Sequence, residues 1–86
     1  KPINVLQRLL NSFDISRDER YACVKLCNTL EKCPELMSKT PNTIATSVIY
    51  KNLAHRFSKA EVCEICEVSI PTVNKIEAII KRYLEV

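Results

Sequence analysis

Apolar residues recur along this chain at spacings of three and four, the period of a helix with one buried face. Ile3, Leu6, Leu10 and Phe13 make the first stripe and predict a helix over residues 2–13. Ala22, Cys23, Leu26, Cys27 and Leu30 make the second, over residues 16–32. Ser16 opens that helix and Glu19 sits three residues later, a capping box. Pro34 stops it, because proline lacks a backbone donor and restricts the residue before it. The loop beyond leads to Thr40, a capping residue, with Pro41 at the first position of a third helix over 41–56. That helix differs from its neighbours. It carries no charge before Lys51, and Thr43, Ala45, Thr46, Ser47 and Val48 are small or β-branched. β-branched residues cost helix propensity, so packing must compensate. The segment therefore reads as a buried central helix that others wrap around.

Residues 58–84 predict two helices joined by a tight turn. Ser58 and Glu61 form a second capping box, and Val62, Cys63 and Cys66 face inward. Glu67 and Val68 make the turn, with Val68 filling the corner and the small Cys63 where the helices cross. Ser69 caps the next helix, Pro71 lies in its first turn, and Val73 and Ile76 share its inner face. That helix runs on to Tyr83 or Leu84. Two helices so joined make a helix-turn-helix, which sets its second helix in the major groove of DNA. Exposed at the start of that second helix are Ile70, Pro71, Thr72, Asn74 and Lys75. Two features stand against the motif. Gly is common in such turns because it accepts positive φ, yet Glu67 stands here and the chain has no Gly. Glu61, Glu64 and Glu67 also make the first helix of the pair acidic, which repels phosphate. No strand pattern is found. The expected architecture is an all-α single domain over residues 1–86, with five helices, a central buried third helix and the helix-turn-helix in the last two.

Length and charge narrow the function. A chain of 86 residues buries only about 60–65% of its unfolded surface, a modest core. No apolar run spans a bilayer and no signal peptide is visible, so no membrane partner is expected. The net charge of +3 is spread evenly and is compatible with nucleic acid. Cysteine number is odd at five, so not all can pair. Cys63 and Cys66 have the C-x-x-C spacing of zinc or redox sites, but zinc needs four ligands and His55 is the only histidine. The same two cysteines fill inner positions that the helix pair needs filled, so structural, free thiols are expected, in a reducing intracellular setting. His55, near the end of the third helix, reads as an ordinary charge-compensating residue. Lys81 and Arg82 read as a solvated helix end. Asp14, Asp18 and Glu19 form no acid–base pair, and no catalytic site, metal site or cofactor is expected.

The joint pattern matches a family. Thr40 and Pro41, Ile44 and Ala45, Ile49 and Tyr50, then Glu61 and Val62, Ile65, Val68 and Ser69, Thr72 and Val73 follow its spacing. In these residues the chain resembles a cyclin-fold repeat of transcription factor IIB and its archaeal counterparts, most closely the second of the two repeats. The resemblance covers nearly all of the chain. It implies a general transcription initiation factor domain whose partners are promoter DNA, TATA-binding protein and RNA polymerase. It also implies a helix-turn-helix that reads the major groove just upstream of the TATA element. The family's zinc ribbon and first repeat are absent, which implies a C-terminal fragment. Glu67 replaces the usual small residue before the Val-Ser pair. The arginines often found on the recognition helix are missing, with Asn74 and Lys75 in their place.

The candidate DNA contacts are Lys39, Thr40, Lys59, Ser69, Ile70, Pro71, Thr72, Asn74 and Lys75. Asn74 has the two groups that pair with an adenine edge, and Lys75 can reach a guanine or a phosphate. Thr72 can touch a thymine methyl, the Ser69 hydroxyl a phosphate, and Lys39 and Lys59 lie near helix starts where phosphate binds. The bland alternative is a solvated polar face. A second function class is a cyclin-like protein–protein adaptor in which the helix-turn-helix is only scaffold. Expected localisation is intracellular: nuclear in a eukaryote, cytoplasmic in an archaeal or viral setting.

Overall fold

Residues 44–49 are six consecutive buried positions, and the rest of the chain is arranged around them. The computed structural model describes residues 1–85 and holds six helices. These are α1 (Pro2–Leu10), α2 (Arg17–Leu30), α3 (Pro34–Met37), α4 (Pro41–Leu53), α5 (Lys59–Cys66) and α6 (Ile70–Leu84). Among the described residues all regular structure is helical.

Helix α4 is the centre, touched by α1, α2, α5 and α6. Ile44, Ala45, Val48, Ile49 and Leu53 lie in the core, and so do the polar Thr46 and Ser47. A buried hydroxyl needs a partner. Thr46 Oγ1 donates to the Asn42 carbonyl at 2.7 Å and Ser47 Oγ to the Thr43 carbonyl at 2.9 Å, so both are satisfied inside their own helix. Around α4 pack Leu6 and Leu10 of α1, Cys23, Cys27 and Leu30 of α2, Val62 and Cys66 of α5, and Ile76, Ile79 and Ile80 of α6.

The structure departs from the five-helix expectation at the helix ends. Pro34 does stop α2, but it also serves as the first residue of α3, which seats Leu36 fully in the core. Helix α1 ends at Leu10 rather than residue 13. There the chain tightens, with Asn11, Ser12 and Phe13 N–H groups donating three residues back. Phe13 is still buried, edge-on to Phe57 with ring centroids 5.4 Å apart. Helix α4 likewise ends at Leu53, whose carbonyl accepts from Arg56 and Phe57. Both capping boxes form: Ser16 with Glu19 and Ser58 with Glu61. Thr40 holds the cap position of α4, yet its hydroxyl meets the Thr43 hydroxyl instead of a backbone N–H.

Glu19 also ties α2 to the end of α4. Its carboxylate accepts from Ser16 N–H at 2.9 Å and Arg56 at 3.0 Å, and lies 3.3 Å from His55 Nε2. The Ser16 hydrogen bond, then the Arg56 charge and the His55 contact, hold its pKa below the ordinary value against the opposing effect of burial. His55 thus meets a carboxylate just beyond the helix end. Arg82 is paired as well, with Glu35 of α3 at 3.3 Å.

The five cysteines are free and buried. Burial pushes the Cys23 and Cys27 thiols up to about 11, and raises Cys63 and Cys66. The folded chain therefore holds these protons more tightly than an unfolded thiol of pKa about 9, and ionisation favours the unfolded chain. The contribution of these thiols to stability is full below pH 9 and is lost as pH climbs towards about 11. Urea denaturation across this range should show a falling midpoint, with the thiols unreactive to iodoacetamide until the chain unfolds. A midpoint that holds flat to pH 11, or rapid labelling of the native protein, contradicts this account.

Candidate nucleic-acid interface

Helices α5 and α6 are joined by residues 67–69, and hydrogen bonds fix that turn. Glu67 takes the left-handed conformation at φ 59°, ψ 43°, the only non-Gly residue with positive φ among the described residues. Val68 N–H then donates to the Cys63 carbonyl at 3.0 Å and Glu67 N–H to the Glu64 carbonyl at 3.3 Å. This is the Schellman closure that Gly usually provides. Val68 packs partly buried against the core, in the corner as the sequence suggests. The turn is also tied to the centre of the fold, since Asn42 Nδ2 of α4 donates to the Cys66 carbonyl at 3.3 Å. A helix end leaves such carbonyls without partners, so this bond both satisfies α5 and sets its angle to α4.

Ser69 then caps α6. Its Oγ accepts from Thr72 N–H at 3.4 Å and shares a hydrogen bond with the Thr72 hydroxyl at 2.7 Å. With Val73 and Ile76 buried, the opposite face of the first turns is left to solvent. Ser69, Ile70, Pro71, Asn74 and Lys75 are exposed and Thr72 is half-buried. Beside them lies a shallow groove of about 340 Å³, lined by Ser38, Lys39, Thr40, Thr43, Thr72, Lys75 and Ile76. The fold thus brings Lys39 and Thr40, from the segment before α4, next to Thr72 and Lys75 of α6. Two lysines and four hydroxyl side chains face this groove, and among the described residues no carboxylate lines it.

Lys59 is placed differently. Its Nζ lies 2.5 Å from Glu77 Oε1 and 2.6 Å from Asn74 Oδ1, and 5.2 Å from the centre of the Tyr50 ring. The Glu77 hydrogen bond raises its pKa. Its ammonium is therefore engaged within the protein, with the Glu77 carboxylate where the sequence reading expects a phosphate. The link to residues 15 and 18 positions further on is not visible in sequence. The one signal was that Asn74 and Glu77 lie three apart, on one face of a helix.

Among the described residues no cluster of three or more His, Cys, Asp or Glu side chains is placed to hold a metal ion. No helix among them is long and apolar enough to cross a membrane. Comparison with family models, curated proteins and solved structures finds no match to this chain.

A non-Gly residue in the left-handed region costs about 1–2 kcal/mol, so the turn is held by its hydrogen bonds against its own residue. Glu67→Gly should raise stability by about 1 kcal/mol, equivalent to about 4–8 °C in Tm for a domain of this size. Glu67→Val should lower it, because a β-branched side chain fits this region worst. Thermal melts of the two variants measure the difference, and a Gly variant less stable than the parent would contradict the strain.

Proposed function

We propose that the chain is a DNA-binding domain of a general transcription initiation factor, built as a cyclin-like repeat in the manner of the second repeat of transcription factor IIB. The observation that carries this reading is the groove at the start of α6, where Lys39 and Thr40 meet Thr72 and Lys75 beside an exposed, capped helix N-terminus. Backbone N–H groups and the helix dipole make such an end favourable for phosphate, and it is the end a recognition helix presents to base edges. The residues behind the family resemblance also have physical roles that fit it. Ile44, Ala45 and Ile49 fill the core from α4, Val62 and Val73 fill it from α5 and α6, and Ser69 caps α6. In this reading α6 enters the major groove upstream of the TATA element. TATA-binding protein holds the domain on bent DNA, and the complex helps to recruit RNA polymerase. The chain then works inside the cell, in the nucleus of a eukaryote or the cytoplasm of an archaeal or viral host.

A second reading is a cyclin-like protein–protein adaptor. Ile65 and Ile70, 40% and 39% exposed on either side of the turn, favour it, since exposed branched apolar side chains suit a protein partner better than phosphate.

Asn74→Ala with Lys75→Ala separates the two. Both residues are exposed, so the double variant should fold normally and lose DNA binding, a bidentate base contact being worth about 1–3 kcal/mol of discrimination. Val73→Asp should instead unfold the domain by burying an unpaired charge. In anisotropy titrations on a TATA-containing duplex, the chain alone should bind no tighter than micromolar, as few-contact binding does. TATA-binding protein should tighten it by orders of magnitude. Unchanged binding by the double variant, or nanomolar binding by the chain alone, contradicts the proposal. Loss of a protein partner on replacing Ile65 and Ile70, with no DNA binding, favours the adaptor.

A further inference from the structure

Asn74 is the one exposed residue at the start of α6 whose side chain carries a donor and an acceptor on separate atoms, and its orientation is not free. Resting on the proposed function, we infer that Lys59 is a positioning residue that fixes the Asn74 amide for base readout. An ammonium only donates, so the Asn74 atom facing it at 2.6 Å is the carbonyl Oδ1 and not the amide nitrogen. Nδ2 is thereby turned away from Lys59, and Oδ1 keeps a second lone pair. A free amide flips between two nearly equivalent orientations, and each presents the opposite donor and acceptor pattern to the groove. The Lys59 contact removes one of them.

The ammonium is itself held firmly enough to do this. Glu77 Oε1 lies 2.5 Å away and the Tyr50 ring 5.2 Å below, so one charged hydrogen bond and a ring face fix its position independently of Asn74. Lys59 begins α5 and Asn74 and Glu77 lie on α6, so one cation also spans the two helices. Tyr50, on α4, ties the cluster to the central helix. The fixed pattern, Nδ2 donating and Oδ1 accepting, is the complement of adenine N7 and N6–H in the major groove. A cytosine edge offers a donor at that position and would meet the outward Nδ2–H as like against like.

The role differs from a phosphate contact in what it predicts. The test uses the chain with a library of randomised duplexes, scoring base preference at each position in the bound fraction, together with the salt dependence of binding. Asn74→Ala identifies the position that Asn74 reads. At that position Lys59→Met should cut the preference for adenine by about tenfold, the scale of one base contact, with the salt slope unchanged. Lys59→Arg, which still donates to Oδ1, should restore the preference. If Lys59→Met instead makes the slope shallower by about 0.9 with base preference intact, Lys59 is a phosphate contact and the inference fails. A preference unchanged in Lys59→Met also overturns it. An arm without DNA keeps the inference distinct from the functional reading. In NMR spectra of the free chain the Asn74 side-chain amide should be ordered and shifted, and should become averaged in Lys59→Met. An averaged Asn74 amide in the parent chain overturns the positioning role. An ordered amide in a chain that binds no DNA overturns the functional reading, and base readout with it.

Discussion

Burial of the middle of α4, residues 44–49, on every side is the constraint from which the rest of the structure follows. Residues 44–49 have no face in water, so none of them can carry charge without a desolvation cost of several kcal/mol. That explains a helix made from Ile, Ala, Thr, Ser and Val. Such a helix has weak intrinsic propensity and forms because its neighbours supply packing. α1, α2, α5 and α6 each lay one apolar stripe against it, which is why each of those helices has an ordinary two-faced pattern. Small side chains let the neighbours come close, and the hydroxyls of Thr46 and Ser47 each donate to a carbonyl of their own helix.

The geometry of the α5–α6 pair descends from this centre through a few bonds. Asn42 fixes the carbonyl end of α5 to the first turns of α4. The left-handed Glu67 and the Val68 bond to Cys63 reverse the chain at a set angle. Lys59 then joins the first residue of α5 to the middle of α6, and its position over Tyr50 returns the link to α4. The start of α6 is consequently anchored from three directions. The groove beside it is also a product of the fold. Residues 38–43 precede and begin α4, whereas residues 72–76 belong to α6, and they meet because both helices share the same core.

Local chemistry explains which features were legible in the sequence. The capping boxes at Ser16 and Ser58, the cap at Ser69, the charge-free stretch of α4 before Lys51 and the inward cysteines are all decided by residues within a few positions of each other. The sequence pattern extends the helices too far, to Phe13 and to residue 56, because apolar spacing continues into turns tightened by bonds three residues back. The segment that forms α3 predicts a loop, since four residues carry too little periodicity to distinguish a helix turn from a bend. In the candidate site, the exposure of Ile70, Pro71, Asn74 and Lys75 followed from the buried phase of Val73 and Ile76. The meeting of Lys39 with Lys75, and the capture of Lys59 by Glu77, depend on tertiary geometry over long separations. Reading Lys59 from its place at a helix start overlooked a carboxylate that only the fold delivers.

The same charges bear on how such a surface would engage DNA under the proposed function. Lys59 is neutralised by Glu77, and Glu61 is engaged in its capping box, accepting from Ser58 N–H at 2.9 Å. Lys39 and Lys75 remain at the groove, with the exposed Glu64 and Glu67 on the neighbouring helix and turn. Two phosphate contacts would give a salt slope of only about −1.8, far below that of proteins that hold DNA by charge. Electrostatic attraction is therefore a small part of what this surface offers. Its stronger property is rigidity, because a capped helix start seated on a buried core loses little conformational entropy on binding. Under the proposed function, such a surface would contribute discrimination through a few well-held hydrogen bonds and would leave affinity to other contacts.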